Sequence, residues 1–319
     1  MYVARFYVGE IRCWIWINSN SHICFLESIC VCIYISISIK IFKAETPEEL
    51  KETVKEKYSE IANQPKEENA TSCCGVGVSC GVDYTIFSED YTKLKGYNED
   101  ADLSLGCGIP TEFAQIKAGD TVLDLGSGAG NDCFIARELT GEKGKVLGLD
   151  FTEEMVNKAR INADKLGFNN VEFRKGDIEQ MPIGGDSIDV VVSNCVLNLV
   201  PDKTKAFSET FRVLKADGHF SMSDVVLKGE LPEGLKNDAE MYAGCVSGAI
   251  QKDAYLNIIS AAGFENVSVQ KEKAVILPDE ILKNYLSDAE ILSYKNEEFG
   301  VFSITVCGQK PTCAPDCCC

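Results

Sequence analysis

The chain has 319 residues, 45% hydrophobic and 25% charged, with a formal net charge of -18. That length can bury a sizeable core and the composition excludes fibrous and disordered classes. The acidic excess repels phosphate backbones and anionic lipid, which argues against nucleic acid and membrane surfaces as partners of the folded part and favours a small substrate.

Residues 1–43 differ from the rest: ten isoleucines, both tryptophans, four cysteines, no proline or aspartate. Within them, residues 23–41 are apolar enough to suggest an anchor, yet they include Glu27 and several serines, so they are marginal as a membrane span. This extension reads as a start-site artefact, a signal or anchor, or an unusual folded arm, and a membrane partner is expected only if the anchor is real. Ordered structure is expected from Thr46, where Thr46, Pro47 and Glu49 form a capping-box signature. Leu50, Val54, Tyr58 and Ile61 then lie on one helical face. A Cys/Gly loop, residues 71–82, follows.

From Asp120 apolar strands alternate with amphipathic helices: strands at 121–125, 145–150, 171–175, 188–193 and 219–227, helices at 132–139, 153–166 and 203–214. Such alternation predicts an α/β fold with a parallel, doubly wound sheet. The pattern loosens beyond Leu227, with a helix near 252–262 and strands near 267–270 and 302–307 that could close the sheet. The expected organisation is therefore an extension at 1–43, an N-terminal helix and Cys-rich loop at 44–116, a Rossmann-like domain at 117–227, a smaller substrate-binding and sheet-completing part at 228–310, and a tail at 311–319.

In residues 122–132, VLDLGSGAGND, a buried strand runs into Gly126, Gly128 and Gly130 and then a helix, so the backbone turns tightly and lets a ligand approach. Glycine spacing alone is a weak signal. Asp150, ending the next strand, sharpens it, because a carboxylate there accepts hydrogen bonds from both ribose hydroxyls. Asp177 can meet an adenine amine. Dinucleotide binding would want Gly-x-Gly-x-x-Gly and a pyrophosphate at the helix N-terminus, where Asp132 would repel it. S-adenosylmethionine (SAM) has no phosphate, and Asp124 complements its cationic methionine end. The expected fold is the class I SAM-methyltransferase fold.

Sixteen cysteines would mark a disulfide scaffold in a short secreted chain, but beside this α/β pattern they point to a reduced, cytoplasmic protein. Several cluster: Cys73, Cys74 and Cys80 in the loop, Cys313, Cys317, Cys318 and Cys319 in the tail. Cys195 lies in SNCVLNL at the carboxyl end of the fourth strand, where open α/β sheets place ligands; read alone it is more readily a buried small hydrophobe. Cys245 in GCVSGA and Cys107 in LGCGIP have small neighbours that let a ligand reach sulfur. Clustered thiolates select soft ions. The paired repeats of a structural zinc site are missing, whereas a trivalent metalloid needs only three thiolates and keeps a nucleophilic lone pair.

Residues 46–249 resemble the arsenite SAM-dependent methyltransferases, most closely at VLDLGSGAGNDCF, SNCVLNLVPDK, FRVLKADG, SDVVL and GCVSGA. The resemblance implies methyl transfer from SAM to arsenite or its thiol conjugates in arsenic detoxification, with arsenic held by Cys195 and Cys245. It implies that Cys107 and one loop cysteine, Cys80 or Cys74, form a redox pair or supply the third thiolate. It carries cofactor contacts onto Asp124, Gly126, Ser127, Gly128, Asp150, Asp177 and Asn194, with Gly130 in the same turn. It also implies a thiol reductant such as thioredoxin or glutathione. The tail resembles the cysteine-bearing ends of some members and reads as a metalloid trap or a non-essential end. Two rivals remain at this level: a methyltransferase of the same fold acting on a small organic, lipid or quinone acceptor, and a non-catalytic metalloid-binding protein.

Overall fold

The computed structural model describes residues 2–8, 11–17, 46–64, 89–230, 248–275, 279–283, 286–296 and 299–312. The chain divides into two units, Met1–Glu45 and Thr46–Cys319. In the first, strands β1 (Tyr2–Val8) and β2 (Ile11–Ile17) pair antiparallel, Tyr2 opposite Ile17 through Val8 opposite Ile11. Aromatic and β-branched residues at short spacing favour such a hairpin. The anchor proposed for 23–41 lies outside the described residues. Among the described residues no helix is long and apolar enough to cross a membrane.

The second unit opens with α1 (Pro47–Asn63), whose capping box forms as expected: Glu49 N–H donates to Thr46 Oγ1 and Thr46 N–H to the Glu49 carboxylate. Val54 and Ile61 are buried on its apolar face. After the short α2 (Pro110–Phe113), strand and helix alternate: β3 (Thr121–Leu125), α3 (Asn131–Thr140), β4 (Lys145–Asp150), α4 (Glu153–Leu166), β5 (Val171–Lys175), β6 (Ile188–Asn194), α5 (Lys203–Val213) and β7 (Leu214–Lys228). Then come α6 (Lys252–Ala261), β8 (Glu265–Val275), α7 (Asp279–Leu282), α8 (Asp288–Lys295) and β9 (Gly300–Gln309). The sheet has seven strands in the order β5-β4-β3-β6-β7-β9-β8. Strands β3 to β7 are parallel; β9 runs antiparallel between β7 and β8. The late strands do join the sheet, and β8 and β9 are longer than the segments read from hydrophobicity.

Alternation along the strands builds a core on each face. From β3 and β6, Leu123, Leu125, Ile188 and Val191 enter one cluster with Phe207, Phe220 and Tyr255, while Val122, Val190 and Val192 enter the other with Phe134, Met155 and Ala159. Because both faces are covered, these strands are apolar runs rather than alternating ones. The chain winds outward from β3 through β4 to β5, then returns to place β6 on the other side of β3. That reversal leaves a crevice beyond the carboxyl ends of β3 and β6, the position where open α/β sheets bind ligands.

Candidate active site

A cleft of about 1170 Å³, open to solvent, occupies the crevice. Asp124, Gly126, Ser127, Gly128, Asp150, Asp177 and Asn194 all line it, and so does Cys195. Gly130 does not. It is the N-cap of α3 at φ 102°, and a Cβ there would meet the Phe134 and Phe173 rings at 2.8 and 2.9 Å, so its role is to let the helix start against the core. Gly126 also has a positive φ, 66°, and a Cβ on it would come within 2.3 Å of Val196 Cγ2. The turn after β3 thus packs directly on the turn after β6.

The walls of the cleft are acidic. Asp150 accepts from Gly128 N–H at 3.0 Å and from Thr152 N–H at 2.8 Å, which fixes its carboxylate at the strand end. Each oxygen retains capacity for a further donor. Burial raises its pKa, against the pull of those amide donors. Burial also holds Asp124 well above the usual carboxylate range, and the neighbouring Asp132 charge adds to it. Cys133 donates to Asp124 Oδ2 at 3.2 Å. Asp132 itself is pushed up to about 6 by burial, against hydrogen bonds from Asn194 and Tyr91. Concentrated carboxylates of this kind want a cation. The Ser127 hydroxyl, buried at the cleft wall, has no hydrogen-bond partner, which suits a ligand with donors and acceptors along its length. A nucleoside carrying an ammonium and a sulfonium fits this donor set; a pyrophosphate does not.

Asp177 lies beyond the end of β5, where Lys51 of α1 donates to it at 2.6 Å and to Glu179 at 2.7 Å. Val54 and Tyr58 of the same helix line the cleft as well. Sequence reasoning missed Lys51, because no local pattern links residues 126 positions apart. It likewise missed Tyr91, which is buried, donates to Gly108 C=O at 2.7 Å and lies 3.1 Å from Asp132 Oδ1.

Cys107 and Cys195 are both buried and belong to one apolar cluster, which also holds Ala249, the last residue of GCVSGA. Cys195 has φ 60°, uncommon for a residue with a Cβ, and its N–H donates to Ser223 C=O at 2.8 Å. Strain held in this way marks a residue whose placement matters. Behind it, Asp224 is fully buried and its pKa rises to about 7. Tyr255 O–H donates to Asp224 at 3.2 Å, and the tyrosine is pushed up by burial and by the nearby Asp224 carboxylate. Among the described residues no three His, Cys, Asp or Glu side chains group as a metal site. Cys245, the loop residues Cys73, Cys74 and Cys80, and the tail cysteines lie outside the described residues.

Residues 116–263 match the methyltransferase domain family. The chain is 38% identical over 279 residues to an arsenite methyltransferase of Halobacterium salinarum, covering 83% of this chain and 68% of that protein. An arsenite methyltransferase of Aquipseudomonas alcaligenes is 30% identical over 249 residues, covering 76% and 70%. Among solved structures, an arsenic(III) S-adenosylmethionine methyltransferase from Chlamydomonas reinhardtii superposes with a TM-score of 0.54 at 32% identity, covering 66% of this chain and 68% of that one. With likeness of this extent reaching well beyond the cofactor-binding half, into the segments that carry Cys107 and Ala249, the chain belongs to the arsenite methyltransferase family.

Proposed function

We propose that the protein transfers a methyl group from SAM to trivalent arsenic held by cysteine thiolates, and so makes methylarsenicals from arsenite or its thiol conjugates. One observation carries the reading: Cys195 lines the same cleft as Asp124, Gly128 and Asp150. Asp150 receives the ribose hydroxyls, Asp177 the adenine amine, and Asp124 with Asp132 the ammonium of the amino-acid end. Ser127 and the peptides around Gly126 and Gly128 supply further contacts. When bound, SAM supplies an electrophilic methyl carbon on a sulfonium.

The arsenic ligands on this reading are Cys195, Cys245 and Cys107, with Cys80 or Cys74 as the redox partner or replacement thiol. Three thiols exchange with the hydroxyls of arsenite and release water, leaving arsenic its lone pair. The lone pair forms the arsenic–carbon bond as the carbon–sulfur bond breaks, its electrons staying on sulfur in S-adenosylhomocysteine. Arsenic goes formally from trivalent to pentavalent, so turnover needs two electrons from a thiol reductant such as thioredoxin or glutathione. A reducing cytoplasm suits that demand. The protein contributes alignment and exclusion of water rather than a base, in keeping with a site built of carboxylates and thiols.

The test is to incubate the purified full chain with SAM, arsenite and a thiol and to follow methylated arsenic by liquid chromatography and mass spectrometry. Mono- and dimethylated species are expected from wild type, with loss of at least about a hundredfold in Cys195→Ser, since a transition-state ligand is removed. Absence of product from wild type, or full activity in the serine variant, overturns the proposal.

A further inference from the structure

Asn194 is expected from the sequence to touch the cofactor, yet most of its hydrogen-bonding capacity is spent elsewhere. Its Oδ1 accepts from Cys107 N–H at 3.0 Å, and its Nδ2 donates to Gly108 C=O at 2.9 Å and to Tyr91 Oη at 2.7 Å. The amide therefore grips the backbone on both sides of the Cys107 side chain, while its own main chain leads directly into Cys195. The orientation of the amide is set by these partners: the peptide N–H demands the oxygen, and the carbonyl demands the nitrogen.

The flanking glycines let the loop approach β6 and β7 closely. A Cβ on Gly106 would lie 2.5 Å from Asn194 Nδ2, and one on Gly108 would lie 2.5 Å from Ser223 Oγ. From the far side of the loop, Ser303 of β9 donates to Cys107 C=O at 2.5 Å. Every polar group of the Cys107 peptide thus has a partner on β6 or β9. Cys195 is fixed in turn by its N–H to Ser223.

We propose that Asn194 is a positioning residue for the thiol site: with Ser303, it clamps the Cys107 loop at a set separation from Cys195, so that both sulfurs are presented together. Asp132 accepts from Asn194 Nδ2 at 3.2 Å and lines the cofactor cleft, so the clamp also links that cleft to the Cys107 loop. Isosteric Asn194→Asp breaks it, because the carboxylate oxygen that takes the place of Nδ2 then faces both Gly108 C=O and the Asp132 carboxylate. The proposal rests on the arsenic reading for the purpose of the paired thiols, but its geometry is tested without arsenic.

The experiment treats the native full chain with iodoacetamide and quantifies alkylation of individual cysteines by peptide mass spectrometry. Cys133, buried in the core, serves as the internal control for unfolding. Asn194→Asp and Asn194→Ala are expected to speed Cys107 labelling about tenfold or more, as loss of two hydrogen bonds allows, with Cys133 unchanged. Ser303→Ala, which lies outside the cofactor cleft, is expected to speed it several-fold and to raise KM for arsenite while leaving KM for SAM within about twofold. Cys107 labelling that stays at the wild-type rate in all three variants overturns the clamp, as does labelling of Cys107 and Cys133 that rises in parallel. If wild type makes no methylated arsenic, the arsenic reading fails, while the labelling ratios still decide the clamp.

Discussion

Replacing Asp224 with asparagine isolates the cost of the carboxylate buried behind Cys195. Burial raises its pKa from an ordinary 3.8 to about 7, although Val225 N–H, Tyr255 O–H and Asn198 N–H all donate to it and the Lys203 charge pulls the other way. Because the folded value lies above the unfolded one, the protonated group favours folding. That contribution is fully present below about pH 4 and is lost as pH rises through about 7. Between about pH 5 and pH 8 the carboxylate costs the fold roughly 2–3 kcal/mol. The amide of the variant cannot ionise, so the stability of Asp224→Asn relative to wild type should grow by that amount over the interval. For a domain of this size each kcal/mol moves Tm by about 2–4 °C, which gives a relative shift of roughly 4–12 °C. Any fixed penalty from rearranged donors cancels, since it is the same at both pH values. The assay is thermal unfolding of both proteins across this range, followed by far-ultraviolet circular dichroism. A difference in Tm that does not change with pH refutes the account.

Three further outcomes follow from the site. Gly126→Ala forces a Cβ into Val196 at a backbone angle that disfavours side chains, so it should destabilise by about 2–4 kcal/mol; denaturant titration checks this, and Val196→Ala in the same chain should recover part of the loss. Asp150→Asn should weaken SAM binding by about tenfold to a hundredfold in isothermal titration calorimetry, because charge-assisted bonds to the ribose are lost, while S-adenosylhomocysteine should weaken to the same extent. SAM affinity should fall below about pH 6, as Asp132 takes up a proton and ceases to complement the cation, and Asp132→Asn should bind weakly with a flat profile there.

The parallel core was legible because both its cues are local. Val122, Leu123 and Leu125 read as a buried strand, the glycines as its turn, and Asp150 as the end of the next strand, all within thirty or so residues. The antiparallel insertion of β9 between β7 and β8 was not, since it pairs Ser223 with Thr305, 82 residues later in the chain, and no local cue links them. Nor could spacing reveal that Asn194 holds Cys107, 87 residues earlier. The resemblance carries a cofactor contact onto Asn194, which does line the cleft, but whether such a residue touches the ligand or its neighbours depends on the fold of the opposite loop. Lys51 illustrates the same limit, since a lysine on an acidic helix has no local mark that sets it apart.

The contact between Gly126 and Val196 gives the two halves of the site a common reference. The turn after β3 shapes the cofactor wall, and the turn after β6 carries Cys195, with Asn194 and Val196 on either side of it. The Val196 side chain packs directly on the Gly126 backbone, which couples the two turns, and on the proposed reading that contact helps to set the separation of methyl donor and sulfur. In-line displacement is sensitive to that separation, and a misplacement of about 1 Å can cost a hundredfold. A mechanism without a general base must draw its rate from such alignment. On the proposed reading, the hydrogen bonds that run from Asp132 through Asn194 to Cys107 serve that alignment.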